Sequence, residues 1–251
     1  MQLLLLLLAF FLPPKTRAGE IIGGHEAKPH SHPYMAYIKF WYTTFALECG
    51  GFLIDEKFVL TAAHCFHRSS ESKHRKTVVL LGAHNIKKQE KSWQPINVKK
   101  HIPHPHFSTP EFNNDIMLLQ LEEKAKLTKE VQIIELPKAK SQVNPGAVCQ
   151  LAGWGSLVND MPTDTLQEVE MTVKKDEECD TFFHYYDAAT EICLGDPKIQ
   201  KFPSKGDSGG PVICDNVVQA IISSGDYTTP PCVFIKLSPY LDWIKKTMEH
   251  H

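Results

Sequence analysis

Beyond its first dozen residues the chain has no apolar run long enough to cross a membrane, so no integral anchor is expected there. It has no Asn-x-Ser/Thr sequon, which removes N-linked glycosylation. No internal repeat or low-complexity block interrupts it. Neither sign of charge dominates: 27 Lys and Arg stand against 29 Asp and Glu, a formal net charge of -2. Such a balance names no partner, and nothing in the chain suggests nucleic-acid recognition. The cysteines are not even in number. There are seven, so at least one thiol stays free or pairs outside the chain.

What is present begins with an address. Met1-Gln2 leads into Leu3 to Leu8 and then Ala9-Phe10-Phe11-Leu12, too short to span a bilayer and placed at the extreme N-terminus. Thr16-Arg17-Ala18 suits cleavage after Ala18, so residues 1–18 read as a secretory signal peptide. The remainder is expected to be soluble in the secretory pathway, where disulfides form. At 251 residues and 42% hydrophobic, the chain can build one large domain or two small lobes with packed cores.

Strand-length apolar runs follow one another, separated by Gly, Pro, Asn and Asp. Tyr34 to Phe40, Phe58 to Ala63, Ile116 to Leu121, Pro211 to Cys214 and Val217 to Ser223 are examples. The pattern predicts an all-β sandwich or barrel. Only the tail differs. Ser238 and Pro239 suit a helix start, and Leu237, Leu241, Ile244 and Met248 recur at helical spacing. A helix over about 238–248 is expected, packed on the barrels with Lys245 and Lys246 near its negative end. Charge-rich Lys124 to Lys140, carrying Pro137, is the candidate linker between an N-terminal and a C-terminal lobe. The polar stretch His67 to Lys76 reads as a long exposed loop. His101, His104 and His106 alternate with Pro103 and Pro105 and read as another exposed loop, not a metal site.

Three strings carry chemistry. Lys205-Gly206-Asp207-Ser208-Gly209-Gly210-Pro211 sets a serine between glycines. A serine hydroxyl needs a neighbouring base, and glycines let the chain turn sharply and bring bare N–H groups to a substrate oxygen. The Asp207 carboxylate calls for a positive partner if it is buried. Thr61-Ala62-Ala63-His64-Cys65 ends an apolar strand on a histidine. Asn113-Asn114-Asp115-Ile116-Met117-Leu118-Leu119 opens another on an aspartate. Each alone has a plain structural reading as a turn or a core histidine.

Together, in the order His, Asp, Ser, they resemble the chymotrypsin-like serine proteases from residue 21 to the C-terminal helix. The resemblance implies two six-stranded antiparallel β-barrels with the active site between them and a C-terminal α-helix. The peptidase domain would span 21–249, its N-terminal barrel about 21–130 and its C-terminal barrel about 131–237. It implies that Ser208 is the nucleophile, His64 the general base and Asp115 its orienting acid, with Gly206 and Ser208 N–H groups as the oxyanion hole. Ser223, Ser224 and Gly225 would lie along the substrate. The implied disulfides are Cys49–Cys65, Cys149–Cys214 and Cys179–Cys193, leaving Cys232 as a small buried filler. No cofactor or metal is implied.

Glu20-Ile21-Ile22-Gly23-Gly24 resembles the family's activation site. Cleavage before Ile21 would free an ammonium group to pair with Asp207, and only Gly19-Glu20 would remain as a propeptide. That two-residue propeptide, removed by a dipeptidyl peptidase, resembles the granule proteases of lymphocytes, mast cells and neutrophils. Ile21 to Ser31, Leu81 to Lys87, Ile102 to Pro105, Ala152-Gly153-Trp154-Gly155 and Trp243 to Met248 look most like granzymes B and H. Cathepsin G and the mast-cell chymases come next. The resemblance extends to protein or peptide substrates, serpin-type inhibitors, secretion or granule storage, and cytotoxic killing.

The primary pocket departs from these patterns. Trypsin-like relatives place an aspartate six residues before the nucleophile, where this chain has Phe202. Granzyme B reads acidic side chains with an arginine at the position held here by Cys232. The remaining pocket positions are Pro203, Ser204 and Lys205. The expectation is a pocket for apolar or aromatic side chains, or one partly closed, with Phe202 either filling it or turned away. The rival reading is a weak or inactive granule protein that binds or acts as an antimicrobial on the same fold. His67, Arg68, Lys73, His74, Arg75 and Lys76 form a candidate pH-dependent site for sulfated proteoglycan, because the chain's 13 histidines all follow residue 20 and gain charge in acid.

Overall fold

The computed structural model describes residues 21–67, 73–109, 112–138, 141–156, 163–183, 185–223 and 229–251. The readings placed on residues 1–20, Arg68, Ser224 and Gly225 lie outside these residues. Among them the chain is mostly strands. A first short strand β1 (His25–Glu26) precedes β2 (Met35–Tyr42), β3 (Ala46–Asp55), β4 (Phe58–Thr61), β5 (His74–Leu81), β6 (Gln94–Pro103) and β7 (Met117–Leu121). Strands β2 to β7 close into a barrel in the order β2-β3-β4-β7-β6-β5. Every residue of β4 and β7 is buried, because both apolar runs lie in the barrel wall with covered faces. In β2 the side chains alternate: Ile38 and Phe40 fill the interior while Lys39 and Trp41 face out.

The second sheet contains β8 (Val148–Gly153), β9 (Gln167–Thr172), β10 (Glu191–Leu194), β11 (Pro211–Cys214), β12 (Val217–Ile221) and β13 (Cys232–Lys236). It runs β1-β9-β8-β11-β12-β13-β10. A lone bridge between Val173 and Leu194 links its two ends, so it curls into a half-barrel and lacks the full closing ladder of the first. The N-terminal segment crosses over: β1 pairs with β9, putting His25 and Glu26 in the second sheet.

Short helices α1 (His64–His67) and α2 (Asp176–Phe182) interrupt the strands. The tail starts as a 3-10 turn at Ser238–Tyr240 and continues as α3 (Leu241–His250). Tyr240 and Ile244 pack into the first barrel's core cluster, so the last helix ties the C-terminal half to the N-terminal one.

Two loop readings need correction. His67 to Lys76 is not one long loop, because α1 ends it on one side and β5 begins at His74 on the other. His74 is held by its ring contacts with Phe66 and Tyr42 and by a 2.8 Å bond to Thr77 Oγ1. His101 belongs to β6, where it stacks on Phe66 with centroids 4.2 Å apart. Aromatic stacking outweighs the loop propensity of the flanking prolines.

Candidate active site

Antiparallel register assembles the site. Thr61 of β4 lies opposite Met117 of β7. His64 follows the first by three residues and Asp115 precedes the second by two, so both reach the same barrel end. Likewise Pro211 of β11 pairs with Ile221 of β12, which brings the serine loop and Ser223 together. The Gly50 N–H donates to the Ser208 carbonyl at 2.8 Å, joining the first barrel to the loop of the second.

His64 and Asp115 are buried, and Ser208 keeps a small exposed fraction. His64 Nδ1 lies 2.6 Å from Asp115 Oδ2, and the His64 backbone N–H donates to Oδ1 at 2.8 Å. Ser223 Oγ donates to Oδ2 at 2.5 Å. The carboxylate therefore fixes the ring with Nδ1 inward and Nε2 outward. Cys65 Sγ lies 4.0 Å from His64 Nε2 and 3.9 Å from the Ser208 carbonyl oxygen, so the disulfide sits between the histidine and the serine backbone. Phe112 stands edge-on to the imidazole at 5.8 Å. Burial alone would push the Asp115 carboxyl up. The His64 bond and charge, with the Ser223 bond, outweigh it and hold the group below its ordinary range.

The serine loop has its own frame. Gly206 takes φ +101°, a left-handed conformation that a side chain resists. Asp207 N–H donates to Ser204 O, and Gly210 N–H to Asp207 O. No described residue accepts the N–H of Gly206 or Ser208. Asp207 itself is fully buried. Gly155 N–H donates to Oδ1 at 2.7 Å, and Ser204 N–H to Oδ2 at 2.8 Å. No described cation pairs with it. Burial pushes this carboxyl up to about 6 against those hydrogen bonds. A Cβ on Gly155 would stand 2.4 Å from Oδ2, so only glycine leaves room for the carboxylate.

Ile21 is fully buried in the second core cluster. Phe202 lies in the same cluster as Ile21, Cys232 and Phe234, and its N–H bonds to the Ile22 carbonyl at 3.2 Å. Pro203 is buried, Ser204 half-buried and Lys205 exposed. Ser204 Oγ also donates to the Ser156 carbonyl. Cys232 is buried opposite Leu194, and desolvation pushes its thiol up to about 12, so it behaves as an apolar filler. The structure pairs Cys49 with Cys65, Cys149 with Cys214 and Cys179 with Cys193.

Sequence reasoning passed over Phe112 and the position of Gly155. The string Ala152-Gly153-Trp154-Gly155 was a signal for the second, since paired glycines mark close approach by another group. Nothing local marked Phe112, whose ring stands 5.8 Å from the His64 imidazole.

A family model described as Trypsin matches residues 21–244. Human granzyme B is 53% identical over the whole of both chains. Human granzyme H is 53% identical over 99% of each, and human cathepsin G 45% identical over 99% of this chain and 95% of that protein. The solved structure described as "Structure of GrC" matches with a TM-score of 0.83 at 45% identity, covering 91% of this chain and 99% of that one.

Proposed function

Because the chain belongs to the trypsin family of serine proteases, we propose that it is a granzyme-type endopeptidase, stored in secretory granules and released for cytotoxic killing or immune defence. Ser208 Oγ adds to the scissile carbonyl while His64 Nε2 takes the hydroxyl proton. The Gly206 and Ser208 N–H groups receive the oxyanion, each contributing roughly 3 kcal/mol. Collapse expels the amine, which takes the proton from His64 and leaves an acyl-enzyme. Water, deprotonated by the same histidine, then releases the acid and restores Ser208. Asp115 holds the tautomer that keeps Nε2 basic and stabilises the imidazolium. The observation that carries this reading is the Asp115 carboxylate, which accepts from His64 twice and from Ser223 once.

Activation follows from the second aspartate. Removal of Gly19-Glu20 by a dipeptidyl peptidase turns the Ile21 amide into an ammonium that pairs with Asp207. This fixes the loop bearing both oxyanion donors.

The pocket reading rests on Phe202 and Cys232, both buried and uncharged. Neither offers a counter-ion to a basic or an acidic substrate side chain, so cleavage follows apolar or aromatic residues. A peptide library digested by protein beginning at Ile21 should give apolar residues before the cut; efficient cleavage after Asp, Lys or Arg refutes the reading. The burial of Phe202, which holds the position the resemblance gives to the pocket base, also favours a second reading, a closed pocket on a non-cutting binding protein. A fluorophosphonate probe separates them: an enzyme labels at Ser208, and a closed protein does not.

A further inference from the structure

We propose that Ser204 is a positioning residue for the oxyanion hole: its hydroxyl holds Ser156 against the Lys205–Gly206 peptide and reports to that peptide whether Asp207 is paired. The inference deepens the protease reading above and rests on it. The Lys205 carbonyl and the Gly206 N–H belong to one trans peptide, so they point in opposite directions. The Ser156 N–H donates to the Lys205 oxygen at 2.7 Å. That bond turns the carbonyl toward Ser156 and the Gly206 N–H away from it, where no described residue accepts. Gly206 does not enforce this choice by itself. With no side chain it adopts either sign of φ, and here takes +101°. A rotated peptide would present the Lys205 oxygen to the substrate in place of a donor, and would repel an oxyanion.

What keeps Ser156 in place therefore bears on catalysis. Its N–H is committed to Lys205, and its carbonyl accepts from Ser204 Oγ. The preceding residue, Gly155, donates its N–H to Asp207 Oδ1 at 2.7 Å, and its carbonyl accepts from Thr163 Oγ1 at 3.2 Å. Residues 155–156 and 204–207 are thus laced together, with the Ser204 hydroxyl as the side-chain tie to Ser156.

The same hydroxyl faces a second acceptor. Asp207 Oδ2 lies 3.3 Å from Ser204 Oγ and also accepts the Ser204 N–H at 2.8 Å. A hydroxyl has one hydrogen, so Ser156 and Asp207 compete for it. An ionised Asp207 with no cation beside it draws that hydrogen, since bonds to a charged acceptor are the stronger ones. Once the Ile21 ammonium pairs with Asp207, as in the proposed scheme, the hydrogen goes to the Ser156 carbonyl. Activation then tightens the hold on the Lys205–Gly206 peptide through Ser204.

The test uses protein beginning at Ile21 and two variants, Ser204→Ala and Ser204→Thr. Ser204→Ala should lower kcat and kcat/KM equally, roughly tenfold, because the oxyanion is absent from the bound substrate. Hydrogen exchange of the Ser156 N–H, followed by NMR, should accelerate about tenfold in the same variant. Ser204→Thr keeps the hydroxyl and should restore both. In wild-type protein the Ser156 N–H should exchange faster while Gly19-Glu20 remains, and Ser204→Ala should erase that difference. Unchanged exchange in β4 and β7 shows that the variants are folded. A loss confined to KM would make Ser204 a pocket wall only and overturn the proposal. So would equal losses in the two variants, or Ser156 exchange that ignores both the hydroxyl and the dipeptide. Failure of the protease reading looks different: wild-type protein would hydrolyse nothing, while Ser156 exchange would still respond to Ser204→Ala.

Discussion

Asp115 and Asp207 are both fully buried, one in each half of the site, yet their surroundings move them in opposite directions. Asp115 receives an imidazole, a backbone N–H and a hydroxyl, and its carboxyl stays below the ordinary range. Asp207 receives backbone N–H groups and a serine hydroxyl, and burial pushes it up to about 6. The neutral dipoles around Asp207 soften its desolvation without reversing it, whereas Asp115 also has the imidazole of His64. Asp115 thus has an ionisable partner in His64, while among the described residues no cation stands beside Asp207. In the proposed scheme that missing cation is the Ile21 ammonium.

The largest loss is expected from a change at Asp115. Asp115→Asn keeps the shape but presents an amide to Nδ1, and kcat should fall by roughly 10⁴-fold in steady-state assays. A smaller loss than that of Ser223→Ala would mean the carboxylate does not set the tautomer. Gly155→Ala attacks the other side. Its Cβ would stand 2.4 Å from Asp207 Oδ2, so the carboxylate must move and drag the loop of Gly206 and Ser208 with it. A loss in kcat/KM of roughly a hundredfold is expected, comparable to losing one oxyanion donor.

The pH dependence of stability sharpens the contrast. The Asp207 carboxyl sits at about 6 in the folded chain against an ordinary 3.8, so folding favours its protonated form. Its contribution is full in acid below the ordinary value and is lost as pH rises through about 6, a loss of about 3 kcal/mol. Denaturation of the full chain should show this extra loss between about pH 4 and 7, whereas protein beginning at Ile21 should not, since its ammonium holds the anion. Parallel curves for the two proteins would remove the ion pair from the scheme. Ser223→Ala should have the smallest effect, roughly tenfold in kcat, because Asp115 keeps its two bonds from His64.

Much of this was legible in the residues. The apolar strings ending at His64 and starting at Asp115 each contain both a strand and the polar residue at its mouth, so local sequence states their placement. The strand β6 was not legible. Only Ile96 of its first four residues is buried, and Lys99 and Lys100 face out, leaving no apolar alternation to read. Strand β1 was hidden for a different reason: two residues have no periodicity, and their pairing with β9 is a tertiary event. The state of Asp207 was only half legible. Its need for a partner follows from the sequence, but its complete burial and the absence of a cation among the described residues required the packing of Gly155 and Ser204 around it.

The most direct test compares two proteins that differ only by Gly19-Glu20 at the N-terminus. The rate of fluorophosphonate labelling at Ser208 is measured for each at neutral pH. The account predicts rapid labelling when Ile21 is the first residue and labelling at least a hundredfold slower when the dipeptide remains. Equal rates would contradict it, showing that the oxyanion loop is set without the ammonium–Asp207 pair.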